Sequence, residues 1–197
     1  MQRDSQAYFF RKSGNKTIDI TMSPAKNLLI TGIPGVGKTT LLVWTARALS
    51  DYRPAGFITR EIREEGTRKG FLLVSCSGQQ RILSHVAINS TVRMGKYGID
   101  LAGFEQFLME LALQETKSGL VMIDEIGKME CFSPLFRDTV LFSLAADRPF
   151  IATIGRKGTP FMEMIKRRSD VKLVEVTVQN RECIREDLFA AAIAMLE

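Results

Sequence analysis

The stretch GIPGVGKTT, residues 32–40, constrains this chain more than any other feature, because it matches the pattern G-x-x-x-x-G-K-[ST] without deviation. The apolar run NLLIT (27–31) precedes it and predicts a buried strand, and KTTLLVWTARALS (38–50) follows with apolar side chains at helical spacing. A strand, a glycine-rich turn and a helix in this order aim successive backbone N–H groups at one anionic group. The pattern therefore predicts a phosphate-binding loop at the start of an α/β fold.

Each part of the predicted loop has a physical role. Gly32, Gly35 and Gly37 permit the turns that a side chain would obstruct, and the helix N-terminus adds a partial positive charge. Lys38 brings a point charge to the terminal phosphates, and the Thr39 hydroxyl is a candidate magnesium ligand. The predicted phosphate-binding segment comprises Gly32, Ile33, Pro34, Gly35, Val36, Gly37, Lys38, Thr39 and Thr40.

The remaining apolar runs predict a mixed sheet. LVMID (120–124), PFIATI (149–154) and KLVEVTV (172–178) alternate with helical segments, which is typical of a mostly parallel sheet flanked by helices. GFITREI (56–62) and GFLLVSC (70–76) predict an antiparallel ribbon, joined by the polar turn REEGTRK. The fold class is thus predicted to be α/β, with residues 27–197 as one domain.

Helix boundaries follow from local signals. An amphipathic helix is predicted over 104–117, and the Ser-Pro pair at 133–134 and the Thr-Pro pair at 159–160 each place a cap residue before a proline at the first helical position. Asn180 is predicted to cap a closing helix. Residues 85–103, which contain several glycines, are predicted to be a surface loop.

The N-terminal residues 1–26 are polar and are predicted to be an extension outside the domain. They contain no apolar core of the signal-peptide kind, and no apolar run in the chain approaches the ~18–20 residues of a membrane span. The three cysteines are far apart and match neither a disulfide framework nor a metal site. We therefore expect a cytoplasmic protein with reduced thiols, no membrane partner and, by preference, a monomeric state.

Two adjacent acids end the strand predicted at 120–124. In a parallel sheet the loops after Thr31, Asp124 and Ile154 share one crevice at the carboxyl ends of the strands. Asp124 is therefore expected to bind magnesium opposite Thr39. An isolated strand-end cap would be the simpler interpretation of Asp124, but the phosphate loop makes it less favoured.

Glu125 admits three interpretations. It orients or deprotonates the attacking water, or it is the incidental acid of a D-x-x-G pattern in which Gly127 senses the terminal phosphate, or it has no role. We favour the first, because a second carboxylate beside a phosphate site repels the ligand unless it is used.

A phosphoryl-transfer site also needs further positive charge, because its catalysis is mostly positioning and charge neutralisation. Arg156 follows the strand predicted at 149–154 and is the candidate catalytic cation beside Lys38 and Glu125. Lys128 and Arg60 are other cations near the predicted crevice. A solvated loop arginine is an equally good interpretation of Arg156.

The net charge of +5 suits an anionic ligand but does not by itself indicate nucleic-acid binding. The basic cluster at 166–168 is three residues long. A solvated helix end explains that cluster better than an RNA site does, so nucleic acid is a weaker candidate partner than a nucleotide.

The longer motifs of the chain resemble a known family. They are GIPGVGKTT, GFITREIR, MGKYGIDLAGFEQF, IDEIGKMECFSPLF and DVKLVEVTVQNRE. They occur in the order seen in small single-domain nucleoside-triphosphatases described from thermophiles, also called cancer-related nucleoside-triphosphatases. The resemblance runs from about Asn27 to the C-terminus, while residues 1–26 and the loop after Ile154 depart from the family pattern.

The resemblance implies a RecA-like P-loop fold and slow hydrolysis of several nucleoside triphosphates, such as ATP and GTP, to diphosphate and phosphate. Magnesium is the implied cofactor. The family's nucleotide-binding segments fall on Gly32–Thr39 and on a second segment that comprises Leu120, Val121, Met122, Ile123, Asp124, Glu125, Ile126 and Gly127.

Two other functions are compatible with the motifs. The first is a small kinase that passes the phosphoryl group to a nucleotide, a polynucleotide end or a metabolite, although no arginine-rich lid segment is visible in the sequence. The second is a nucleotide-dependent switch without catalysis. Substitution of Glu125 would distinguish this switch from a hydrolase.

Overall fold

The computed structural model describes residues 26–115 and 117–196, and within them nine strands form one sheet in the order β5-β6-β4-β3-β2-β7-β8-β1-β9. The strands are β1 (Asn27–Gly32), β2 (Ala55–Glu64), β3 (Thr67–Ser75), β4 (Gln80–His85), β5 (Arg93–Met94), β6 (Tyr97–Ile99), β7 (Val121–Ile126), β8 (Phe150–Ile154) and β9 (Val171–Val176). The helices are α1 (Lys38–Ala48), α2 (Leu101–Leu111), α3 (Pro134–Ala145), α4 (Pro160–Lys166) and α5 (Ile184–Leu196). The extension predicted at 1–26 lies outside the described residues apart from Lys26.

The sheet has a parallel half and an antiparallel half that meet at β2. Strands β2, β7, β8, β1 and β9 run parallel in that spatial order, and β3, β4, β6 and β5 continue from β2 with antiparallel pairing. This confirms the predicted α/β fold with parallel strands flanked by helices, but the sheet is mixed, because the antiparallel part extends beyond the predicted ribbon to four strands besides β2. The strands of the parallel half are the ones that alternate with helices along the sequence, as predicted.

Helices cover both faces of the parallel strands. The side chains of these strands alternate between two apolar cores, one on each face of the sheet. Leu28 and Ile30 of β1 belong to the core under α1 and α5, whereas Leu29 belongs to the core under α2 and α3. All three side chains are fully buried. Strands buried on both faces have near-continuous apolar sequences, which explains why NLLIT and LVMI are recognisable.

Several boundaries differ from the sequence predictions. The ribbon turn is only Glu65 and Gly66, whose φ angles are 47° and 75°, so the prediction of a turn over the whole of REEGTRK is wrong. Positive φ at both central positions gives the tight hairpin turn whose twist matches the flanking strands. The charged residues on either side pair across β2 and β3 instead of forming a loop.

The prediction of a loop over residues 85–103 is also wrong, because this segment contains β5, β6 and the first turn of α2. The Asp100 side chain accepts a hydrogen bond from the Gly103 N–H and so starts α2 earlier than predicted. The helix starts predicted at 133–134 and 159–160 are confirmed, since Ser133 and Thr159 both cap helices that begin at proline.

Asn180 is not the side-chain cap of α5. Its Oδ1 accepts a hydrogen bond from the Thr177 N–H, and its amide donates to the carbonyl of Glu175. The side chain thus closes the turn after β9, and α5 begins only at Ile184. Among the described residues, no helix has both the length and the apolar content that crossing a membrane would need.

Candidate active site

The predicted phosphate loop connects β1 to α1 at the carboxyl edge of the parallel strands. Gly37 has a φ of 112° and immediately precedes α1, which is a conformation that favours glycine. A side chain on Gly32 would place its Cβ 2.5 Å from the carbonyl oxygen of Val176, so the loop can approach β9 only with glycine there. Ile33 to Gly35, at the tip of the loop, are exposed.

Lys38 lies inside this loop. The side chain is largely buried, and its Nζ donates to the Gly32 carbonyl at 3.4 Å. The same Nζ is 3.9 Å from Oε2 of Glu125. The lysine therefore joins the predicted phosphate loop to the end of β7.

Asp124 is buried and held by hydroxyl groups. Its Oδ1 accepts hydrogen bonds from Thr39 Oγ1 at 3.1 Å and from Thr153 Oγ1 at 2.5 Å, and the Thr59 hydroxyl donates to its backbone carbonyl. Burial raises the pKa of the Asp124 carboxyl, and the hydrogen bonds from Thr153 and Thr39 act in the opposite direction.

The Thr39 hydroxyl and the Asp124 carboxylate are oxygen groups of the kind that bind magnesium. The described residues contain no group of three or more His, Cys, Asp or Glu side chains that could hold a metal by themselves. Magnesium in phosphoryl-transfer sites instead takes one or two protein oxygens and completes its shell with phosphate and water. The Thr39 hydroxyl and the Asp124 carboxylate, 3.1 Å apart, are such a pair.

Glu125 follows Asp124 through a cis peptide bond, and its carboxylate is directed to Lys38. About a third of its side chain is exposed. Burial raises its pKa, the charge of Lys38 lowers it, and the charge of Asp124 raises it further. A Cβ on Gly155, directly after β8, would lie 3.4 Å from Glu125 Oε1, so the carboxylate lies between the ends of β7 and β8.

A third acid, Glu130, lies beside this pair and was missed by the sequence predictions. It is 5% exposed, and burial with the nearby charges of Glu125 and Asp124 raises its pKa to about 8. The carboxyl is packed against Gly127, where a Cβ would be 2.4 Å from Glu130 Oε2. One sequence signal could have indicated a buried acid here: Glu130 lies three residues after Gly127 and beside apolar residues.

Glu130 bears on the interpretation of Gly127 as a phosphate sensor. The backbone N–H groups of Gly127 and of Glu130 itself hydrogen-bond to the Glu130 carboxyl and lower its pKa against the effect of burial. The absence of a side chain at Gly127 leaves the space that the Glu130 carboxyl occupies, and the interpretation of Gly127 as a phosphate sensor stays a prediction.

The candidate cations beyond Lys38 are placed differently. Arg156 follows β8, and its Nε lies 3.2 Å from Glu175 Oε1 in an ion pair that leaves more than half of the arginine side chain exposed. Lys128 is exposed. The structure thus brings together Lys38, Thr39, Asp124 and Glu125, whereas the guanidinium of Arg156 is directed to β9, and its catalytic role stays a prediction.

Comparison with known proteins gives consistent results. The family described as NTPase matches residues 27–189. The nucleoside-triphosphatase THEP1 of a Thermotoga strain is 39% identical over 166 residues, which cover 83% of this chain and 93% of that protein. The human cancer-related nucleoside-triphosphatase is 39% identical over 180 residues, which cover 83% of this chain and 95% of that protein.

Two solved structures share the fold. The crystal structure of THEP1 from the hyperthermophile Aquifex aeolicus superposes with a TM-score of 0.75 at 33% identity, covering 84% of this chain and 98% of that one. The solution structure of a human cancer-related nucleoside triphosphatase gives a TM-score of 0.72 at 36% identity, covering 84% and 96% of the two chains. With its phosphate loop, its paired acids and these relatives, the chain belongs to the NTPase family of THEP1 and the cancer-related nucleoside-triphosphatases.

Proposed function

We propose that this protein hydrolyses nucleoside triphosphates, ATP and GTP among them, to the diphosphate and phosphate, slowly, with broad base specificity and with magnesium. The observation that supports this best is the meeting of two pairs at one edge of the sheet. Lys38 is 3.9 Å from Glu125, and Thr39 is 3.1 Å from Asp124. Membership of a nucleoside-triphosphatase family supports hydrolysis over transfer to another acceptor.

Different residues bind the phosphates, hold magnesium and accept the proton. The backbone N–H groups of the loop at 32–37 and the Lys38 ammonium bind the phosphate oxygens. Thr39 and Asp124 would hold magnesium, which when bound neutralises charge on the phosphate oxygens. Glu125 orients a water molecule and accepts its proton as the water oxygen bonds to the terminal phosphorus and the diphosphate leaves.

The placement of Arg156 is consistent with slow turnover. An arginine that stabilises the transition state contributes about 10³–10⁵-fold to the rate in related sites. Arg156, the candidate for this role, is paired with Glu175 and would have to leave that partner to reach the phosphates. A protein that uses only Lys38 and magnesium lacks that contribution.

The test is phosphate release from ATP, GTP, CTP and UTP by the purified protein, compared with Lys38→Ala. Loss of one preorganised contact to the reacting charge lowers turnover about 100- to 1,000-fold, and we expect a decrease of this size. Lys69→Ala is a matched control, because Lys69 lies 3.8 Å from Glu64 in a similar pair remote from the phosphate loop.

Equal phosphate release by the protein and by Lys38→Ala would contradict hydrolysis at this site. Candidate acceptors are included in the same assay. Faster labelling of one acceptor than of water would identify a kinase instead.

A further inference from the structure

A cavity opens beside the phosphate loop, between α1, β2 and α5. Its volume of about 380 Å³ lies in the range of small-molecule sites. The lining residues are Thr39, Thr40, Val43, Trp44, Arg47, Ile58, Arg60 and Arg185. None of the nucleotide-binding segments predicted from the sequence includes the last six of them.

The cavity is continuous with the phosphate site, because Thr39 and Thr40 belong to both. When the loop holds the triphosphate, the nucleoside must extend from the loop in a direction that has room for it. On the β9 side, Gly32 packs directly on the backbone of Val176, and the Asn180 side chain is fully engaged in its own turn. On the side of β2, the cavity provides such room.

The shape of the cavity wall suits a flat aromatic ligand. Trp44 is partly buried and is the single tryptophan of the chain. Its indole is held in place by an edge contact with Phe189 at 5.9 Å and by the Arg185 guanidinium at 5.1 Å from the ring centroid. Val43 and Ile58 add apolar surface. An indole and a guanidinium plane both stack on nucleic-acid bases, and they do so with any base.

The three arginines of the cavity carry charge that the described residues do not neutralise. Within residues 26–115 and 117–196, Arg47, Arg60 and Arg185 form no ion pair with a carboxylate, in contrast to Arg168 with Asp170 and Arg181 with Glu182. Among the described residues, none that lines the cavity carries a carboxylate or a side-chain amide, and the side-chain acceptors of the wall are the hydroxyls of Thr39 and Thr40 beside the phosphate loop. The wall therefore offers mainly guanidinium donors, which suit phosphate and ribose oxygens.

We propose that this cavity holds the base and ribose of the nucleoside triphosphate, with Trp44 as the stacking surface and Arg47, Arg60 and Arg185 as donors. This inference rests on the proposed function, because it assumes that the phosphates lie in the loop at 32–40. It gives a structural reason for broad base specificity. Stacking on Trp44 and the attraction of positive charge to phosphate do not depend on the identity of the base.

Trp44 makes a direct test possible in the unmodified protein, since all tryptophan fluorescence comes from this cavity. The β,γ-imido analogue of ATP with magnesium is expected to change the emission with saturation. Magnesium tripolyphosphate, shown to be bound by its competition with ATP, should leave the emission unchanged because it has no base. The same emission change from both ligands would overturn the inference.

Variants separate the cavity from the chemistry. Removal of one stacking aromatic weakens binding about 5- to 150-fold, so Trp44→Ala is expected to raise KM by such a factor for all four nucleotides, with kcat within a few-fold. Trp44→Phe, which retains a ring, should recover most of the loss. Phe189→Leu tests whether altered packing of the indole alone has the same effect, and an equal increase in KM would overturn the inference.

Arg47→Gln and Arg181→Gln compare the two sides of the phosphate loop. An increase in KM of several-fold for the first and no change for the second is expected. The reverse result would place the nucleoside on the β9 side and overturn the inference. Absence of phosphate release from every nucleotide would contradict the proposed hydrolysis, while the fluorescence titration would still report whether a nucleoside reaches Trp44.

Discussion

Two sets of ion pairs, one in the crevice and one in the ribbon, differ in their exposure to water. The distances within the pairs do not reveal this difference. In the crevice, Lys38 and Glu125 are 3.9 Å apart, and the lysine side chain is 8% exposed. In the ribbon of β2 and β3, Glu61 is 2.6 Å from Arg63 and 2.7 Å from Arg68, but these arginine side chains are 56% and 43% exposed. The shorter contacts are the more solvated ones.

The difference teaches that burial, more than separation, decides what a charge pair contributes. Water screens the ribbon pairs, and exposed pairs of this kind stabilise a fold by about 0–1 kcal/mol. Lys38 is shielded from water, so the charge of a bound phosphate or carboxylate acts on it strongly. The crevice is therefore where substitutions should affect function, and the ribbon is where they should affect little.

The largest effect is expected from Glu125→Gln, which keeps the shape of the side chain and removes its ability to accept a proton. General-base catalysis contributes about 100- to 10,000-fold, and turnover should fall by such a factor while nucleotide affinity is kept. Phosphate release and the Trp44 fluorescence titration measure the two separately. Glu64→Gln, from the ribbon pair with Lys69, is the matched control.

Unchanged turnover in Glu125→Gln would show that Glu125 is incidental. Lys38 and Asp124 would then be the charged residues, among the described part of the crevice, that keep a proposed role. The third interpretation of Glu125, a residue without a role, would gain support only if nucleotide affinity were also unaffected.

An intermediate effect is expected from Glu130→Gln, in the dependence of stability on pH. The folded chain raises the pKa of Glu130 from 4.5 to about 8, so the folded state retains a proton that the unfolded state loses. The contribution to stability is complete below pH 4.5 and is lost as pH rises toward about 8. Glu130→Gln lacks this loss, so relative to the unsubstituted protein it should gain up to about 1.4 kcal/mol per pH unit in that window.

Urea denaturation at a series of pH values between 4 and 9 measures this difference. Stability curves that stay parallel across the window would contradict a neutral Glu130 in the folded protein.

The smallest effect is expected from Glu61→Gln in the ribbon. Hydrogen bonding to Arg68, and then to Arg63, lowers the pKa of Glu61, so its contribution is present above the ordinary pKa and is lost as pH falls through the lowered value. We expect a loss of less than about 1 kcal/mol near neutral pH, reduced further by salt, with unchanged phosphate release. Denaturation in low and high salt measures it.

A decrease in turnover for Glu61→Gln would show that the ribbon is coupled to the crevice. β2 offers the physical connection, because it carries Glu61 and also Thr59, whose hydroxyl donates to the Asp124 carbonyl. The comparison of crevice and ribbon as independent regions would then be wrong.

Much of the fold could be predicted because its signals are local. The central strands β1, β7 and β8 are almost wholly buried and so have continuous apolar sequences. The capped helix starts at Ser133 and Thr159 depend on residues only three positions apart. The loop predicted at 85–103 was wrong because the pairing partners of this segment are distant along the chain. β6 is a strand because Ile99 pairs with Ser84 of β4, and a segment of three residues has no period that could indicate this.

The sequence by itself determined the phosphate loop, the two acids at the end of β7 and the order of strands and helices that brings them to one edge of a parallel sheet. Each of these depends on short spacing and on the direction of the chain. Only the tertiary structure decided that Glu130 is buried against Gly127, that Arg156 turns to Glu175, and that α1, β2 and α5 enclose a cavity at Trp44. Burial and concavity arise when distant segments pack together, so no local pattern encodes them.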